Sequence, residues 1–179
     1  MNPYILNLKE MNRAMKPYVL TLYGIVCDSK PEKVLEIGVR AAQSTRTILS
    51  ALQENKFGKL VSIDKSDTSS RVPEDLQQYW QFILGNTHDD ETVKKASIEH
   101  PYDILFIDGD HTYAGVKEDF EKYMHLVRPG GLILMHDICN KNEGVKEFWN
   151  EITLQKIAFT WSGSYTKIIA GLGIVQVPL

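Results

Sequence analysis

A chain of 179 residues, 43% hydrophobic and 24% charged, has the make-up of a globular protein able to bury its core in one domain spanning residues 1–179, with an N-terminal helical segment at 1–28. Its net charge of −3 comes from interspersed acids and bases with no Lys/Arg block longer than a pair, which excludes the electrostatic footprint of a nucleic-acid binder. Cys27 and Cys139 form no CxxC pair, and neither a basic-then-apolar leader nor a window of membrane-spanning length is present, so no zinc site, redox motif or membrane partner is expected and the localisation expected is cytoplasmic.

From Pro3 to about Val26, apolar residues recur at Ile5, Leu8, Met15, Val19, Leu22 and Val26, the spacing of an amphipathic helix that would lie on a sheet as a lid or edge helix. Pro31 closes it. The run from Val34 to Arg40 then reads as a buried strand over 33–37 that ends in an acid, Glu36, and a glycine turn at Gly38. A helix over 43–54 follows, with Ile48, Leu49 and Leu52 on one face and Ser44 and Thr45 placed to cap its first N–H groups. A second strand, 59–63, closes on Asp64, and the polar loop 66–73 would border a binding crevice. The third strand, 80–84, leads into Gly85-Asn86-Thr87; Asp89 or Asp90 can cap a helix reaching about His100, with Pro101 as its stop.

The fourth strand, 102–107, closes on Asp108-Gly109-Asp110-His111. A helix with Val116, Phe120, Tyr123 and Val127 inward precedes a turn at Arg128-Pro129-Gly130-Gly131 and a fifth strand at 132–136. A helix carrying Val145, Phe148, Trp149 and Ile152 leads to two β-rich runs, 156–161 and 173–177, readable as an antiparallel hairpin at the sheet edge. Strands alternating with helices of this size predict an α/β, Rossmann-like, doubly wound parallel sheet. Ligands in such sheets sit at the carboxyl ends of the strands, where three acidic strand ends converge.

In this order the residues resemble the class I S-adenosylmethionine-dependent methyltransferases, most nearly the methyltransferase domain 24 group that includes macrocin O-methyltransferase and cephalosporin hydroxylase-like proteins. The likeness rests on Glu36-Ile37-Gly38-Val39-Arg40 with Ser44-Thr45, on Phe106 to Tyr113 with Val116 and Asp119, on Arg128 to Gly131, and on His136-Asp137. It covers nearly the whole chain after Pro31 and implies a seven-stranded sheet, mostly parallel, with an antiparallel last strand.

Gly38 lets backbone approach a ligand, and the following helix start offers N–H groups to a carboxylate such as that of the cofactor's methionine. The resemblance implies that Glu36 organises this loop with Ser44 beside it, and that Asp64 accepts the ribose hydroxyls, the weaker competing reading of Asp64 being a turn cap. Ala42 stands where many members have a second glycine, and Asn86 where many have an aspartate facing the adenine amino group. The Asn86 carbonyl can accept that bond, and a plain turn after Gly85 is the competing reading.

By the same resemblance, Asp108, His136 and Asp137 occupy the positions at which catechol-type O-methyltransferases hold magnesium, with His136 replacing the usual acid or lying beside it, and Asp108 also touching the cofactor. An imidazole ligand would turn preference from magnesium toward manganese, iron or zinc. His111, three residues past Asp108, falls where that family places its general base. Against a metal, Asp-Gly-Asp is a common turn and His136 can sit neutral and hydrogen-bonded under the sheet edge; Asp110 suits a helix cap ahead of Thr112. His88, His100 and His125 read as solvated helix-end residues, Trp149 as core, and Tyr165 as a loop residue placed for acceptor contact.

The expected activity is O-methylation of a small hydroxylated acceptor of sugar or natural-product type, with a homo-oligomer to cover an open site. The competing outcomes are a cofactor-binding protein without transferase activity and a hydroxylase-like member of the same group. A nicotinamide-dependent dehydrogenase is discounted, because Gly38-Val39-Arg40-Ala41-Ala42 lacks the G-x-G-x-x-G spacing that pyrophosphate requires.

Overall fold

Strands buried on both faces read as unbroken apolar runs, and this explains why the runs at 33–37, 59–64, 102–107 and 132–136 show little alternation in sequence. The computed structural model describes residues 18–140, 144–163 and 166–179; the expected helix over 3–17 and the expected contact residue Tyr165 lie outside them. The elements are α1 (Val19–Ser29), β1 (Lys33–Ile37), α2 (Gln43–Asn55), β2 (Lys59–Asp64), β3 (Trp80–Leu84), α3 (Asp90–Ser97), β4 (Tyr102–Ile107), α4 (Tyr113–Tyr123), β5 (Val127–His136), α5 (Gly144–Glu151), β6 (Lys156–Gly163) and β7 (Thr166–Gln176). Among the described residues no helix is long and apolar enough to cross a membrane.

The seven strands form one sheet in the order β3-β2-β1-β4-β5-β7-β6. β1 to β5 pair in parallel, and β7 runs antiparallel to both β5 and β6, so the last strand alone opposes the rest. The expected hairpin is present, but its second strand is the inner one: β7 joins β5 and leaves β6 at the edge.

Alternate residues of each strand supply two cores. Val34, Leu60, Phe106 and Leu134 pack under α1 and α2, against Leu22, Val26, Ile48 and Leu52. Leu35, Val61, Leu105 and Ile133 pack on the other face with Val116, Phe120, Phe148 and Trp149 of α4 and α5. Trp149 is therefore core, as its stripe implied.

Several boundaries differ from the sequence reading, most of all that of β7, which begins at Thr166 rather than at 173. α3 stops at Ser97 rather than near His100, where the Tyr102 hydroxyl donates to the Ala96 carbonyl at 2.7 Å and takes up a free helix end. Val127 belongs to β5, pairing with Tyr102, rather than to the preceding helix. The expected turn at 128–131 is an irregular part of β5, where the register against β4 shifts and Gly130 takes φ 73°.

The chain leaves β1 for β2 and β3 on one side and returns to β4 on the other. The loops after β1 and β4 therefore part, and the carboxyl ends of these two strands form the switch point where such sheets take ligands.

Candidate active site

A cavity of about 900 Å³ opens at this switch point, walled by the loops after β1, β2, β3 and β4. Gly38, Asp64, Asn86, Asp108 and His111 all line it. Glu36 and Ser44 do not; both are buried behind the wall.

Gly38 occupies a place no other residue fits. Its φ is 89°, and a Cβ there would stand 2.2 Å from the Asp108 carbonyl oxygen. Arg40 and Ala42 continue the turn at φ 47° and 55°. Ala42 thus adopts the left-handed conformation that a glycine would take freely, while its methyl is fully buried in the core.

The Asp64 carboxylate holds this turn from the neighbouring strand. Oδ2 accepts the Val39 and Arg40 amides, both at 2.9 Å, and Oδ1 accepts the Ser66 amide at 2.8 Å. A carboxylate offers about four acceptor positions, so one remains for a ligand hydroxyl.

Glu36 acts from beneath. Its carboxylate accepts the hydroxyls of Ser44 at 2.6 Å, Thr45 at 2.8 Å and Ser62 at 2.7 Å, and the Trp80 indole N–H donates to Ser62 Oγ at 2.9 Å. Burial is the largest influence on this carboxyl and raises it from the ordinary 4.5 to about 7 against the lowering effect of the three hydroxyls. Ser44 and Thr45 therefore bind Glu36 rather than capping α2, whose first turn has no side-chain cap.

At the cavity mouth four side chains from two strand ends meet. His111 Nε2 hydrogen-bonds Asp108 Oδ1 at 3.1 Å, and His111 Nδ1 lies 3.7 Å from Asp137 Oδ2. His136 Nδ1 stands 3.1 Å from Asp108 Oδ1 and 3.0 Å from Asp137 Oδ2. One potential ligand atom from each of the four falls within 4.8 Å of the others. Burial pushes the Asp108 carboxyl above its usual range; the His111 hydrogen bond and charge oppose this, Asp137 adds to it, and the Arg40 guanidinium opposes it.

His136 is 5% exposed, and among the described residues neither ring nitrogen has a hydrogen-bond partner. A buried imidazole whose Nδ1 stands beside two carboxylates suits a divalent cation. Asp110 is not the cap of α4: its Oδ1 accepts the Thr112 amide at 2.8 Å in the turn before the helix, and Thr112 is the N-cap, its Oγ1 accepting the Gly115 amide.

The sequence reading assigned no role to the acid buried behind this mouth. Asp119 is fully buried, burial raising its carboxyl, while the Thr87 hydroxyl, His88 and the Asp110 amide favour its charged form. His88 Nε2 faces it at 3.3 Å, so His88 is no solvated helix-end residue but joins the loop after β3 to α4. The signal was an acid on the apolar stripe of Val116, Phe120 and Tyr123.

Comparison with known proteins bears on the family and the fold. A profile of the family described as "Methyltransferase domain" matches residues 35–138, more than half of the chain. The protein y4gI of Sinorhizobium fredii (strain NBRC 101917 / NGR234) is 32% identical over 88 residues, 46% of this chain and 9% of that protein, so the chain spans less than a tenth of it. The O-methyltransferase TomG of Streptomyces achromogenes, involved in tomaymycin synthesis and solved with S-adenosylmethionine, superposes with a TM-score of 0.74 at 17% identity, covering 99% of this chain and 91% of its own. The MycE methyltransferase of the mycinamycin biosynthetic pathway, solved with magnesium and S-adenosylhomocysteine, gives 0.58 at 23% identity over 77% of this chain and 37% of its own. The two structures show a shared fold; the profile match covers the segment that builds the cavity, and the chain accordingly belongs to the methyltransferase-domain family.

Proposed function

We propose that this protein transfers the methyl group of S-adenosylmethionine to a hydroxyl of a small acceptor at the mouth formed by Asp108, His111, His136 and Asp137. The observation that carries the reading is the His111–Asp108 hydrogen bond at the open edge of a cofactor-sized cavity. Asp64, with its remaining acceptor position, receives a ribose hydroxyl; Asn86, on the loop after β3, meets the adenine; Glu36 and Ser44 keep the first loop in shape from behind.

The cofactor supplies an electrophilic methyl on a sulfonium, and transfer leaves a neutral thioether. The acceptor must lose its proton in the process. Asp108 accepts from His111 Nε2 and so favours the tautomer whose Nδ1 carries the lone pair; that nitrogen takes the acceptor's proton. Asp108, His136 and Asp137 would hold a divalent cation, whose charge lowers the pKa of a nearby hydroxyl.

The test combines calorimetric titration of S-adenosylhomocysteine with a turnover assay on a panel of catechol, sugar and polyketide-type alcohols. Micromolar binding and methylation that His111→Ala slows by roughly 10²–10⁴-fold, with cofactor affinity retained, support the reading. Binding without turnover on any hydroxylated acceptor would leave a cofactor-binding protein and overturn it.

A further inference from the structure

We infer that the centre made by Asp108, His136 and Asp137 selects a first-row transition dication of the manganese or cobalt kind over magnesium. This deepens the metal-assisted reading above and rests on it.

The inference starts from backbone geometry. In an extended strand, successive side chains point to opposite faces, so residues 136 and 137 would diverge. Here Asp137 takes the left-handed conformation, φ 57°, immediately after the last residue of β5. That non-glycine strain turns the chain, so that His136 Nδ1 and Asp137 Oδ2 converge to 3.0 Å instead of parting.

His136 is also fixed. Its backbone pairs with Leu172 of β7, and its ring stands edge-on to buried Tyr18 with centroids 4.6 Å apart. The imidazole is 95% enclosed, and among the described residues neither nitrogen has a hydrogen-bond partner. Its Nδ1 lies 3.0 and 3.1 Å from two carboxylate oxygens without the alignment of a hydrogen bond. Ligand atoms bound about 2.1 Å from one ion at right angles stand roughly 3.0 Å apart, which is this spacing.

The donor chemistry then decides between ions. Magnesium favours oxygen ligands and gives up its waters reluctantly, whereas imidazole nitrogen suits manganese, cobalt, iron and zinc. Two carboxylates alone would serve magnesium; the buried imidazole between them is what shifts the preference.

Manganese provides both the ligand and the readout. Binding of Mn²⁺ to the full chain is measured by loss of the free-ion electron paramagnetic resonance signal, with Mg²⁺ as competitor, and pulsed spectra are examined for coupling to imidazole ¹⁴N. The wild type is expected to bind Mn²⁺ with nitrogen coupling that persists in His111→Ala and vanishes in His136→Asp. His136→Asp should still bind cations, with the Mn²⁺-over-Mg²⁺ preference reduced by about tenfold or more. Mn²⁺ bound to the wild type without nitrogen coupling, or displaced by Mg²⁺ equally in wild type and His136→Asp, would overturn the inference and leave a magnesium-type centre standing. No cation binding to the wild type would overturn both the inference and the metal-assisted reading, while S-adenosylhomocysteine titration shows separately whether the methyltransferase reading survives.

Discussion

The carboxylate of Asp64 accepts the backbone N–H of Val39 at 2.9 Å, so the end of β2 holds the glycine turn at the end of β1. Replacing Asp64 with alanine removes this acceptor and that of Arg40 together. A loss of roughly 2 kcal/mol in stability and more than about tenfold in S-adenosylhomocysteine affinity is expected. Asp64→Asn keeps a carbonyl oxygen for the two amides and should recover part of the stability. Urea denaturation with calorimetry checks this, and equal losses in the two variants would show that the amides contribute nothing.

Gly38→Ala should be among the most damaging single-methyl additions available. The new Cβ meets the backbone carbonyl oxygen of Asp108 at 2.2 Å, at a φ of 89°. The strain of left-handed backbone and the displaced β4 loop together cost about 3 kcal/mol or more. A thermal melt should show a drop of roughly 6–12 °C, together with lost cofactor binding. A melt within a degree or two of the wild type would show that the two loops yield easily.

Glu36 makes stability depend on pH in a particular direction. Its folded-state carboxyl is raised by burial from 4.5 to about 7, so the folded protein keeps a proton that the unfolded chain releases. Below about 4.5 both states are protonated and nothing is lost; between 4.5 and 7 stability falls as pH rises, and above about 7 the penalty is constant. The full effect is on the order of 3 kcal/mol. Glu36→Gln carries no titrating group and should flatten the profile of the urea midpoint between pH 5 and 7.5 relative to the wild type. Parallel profiles in the two proteins would place the ionisation elsewhere.

Asp119 ties α4 to the loop after β3 through His88 at 3.3 Å and stands beside Thr87 and the Asp110 amide. Asp119→Ala should weaken S-adenosylhomocysteine by about tenfold by loosening the loops that carry Asn86 and Asp108. Because Asp119 and His88 face each other, their alanine variants should be non-additive in stability by at least ~0.5 kcal/mol. Additive losses in the double mutant would show that the pair is not coupled.

What the sequence by itself determined is local. Strands at Lys33–Ile37, Trp80–Leu84 and Tyr102–Ile107 could be read to the residue, because an apolar run and its closing glycine, proline or acid are properties of a few consecutive positions. Gly38, Asp64, Asn86, Asp108 and His111 could be placed on one cavity because each lies at or just past the carboxyl end of a parallel strand. The tertiary structure alone decided how these ends meet. The insertion of β7 between β5 and β6 depends on pairing between distant segments, as does the bond from Ser62 to Glu36, residues set opposite each other by the β1–β2 register. The convergence of His136 with Asp137 needs a left-handed residue that no sequence pattern announced, and Asp119 meets His88 only because α4 packs beneath the loop after β3. Strand order, register and helix packing set those distances, and they are fixed by burying two cores at once rather than by any local preference of the chain.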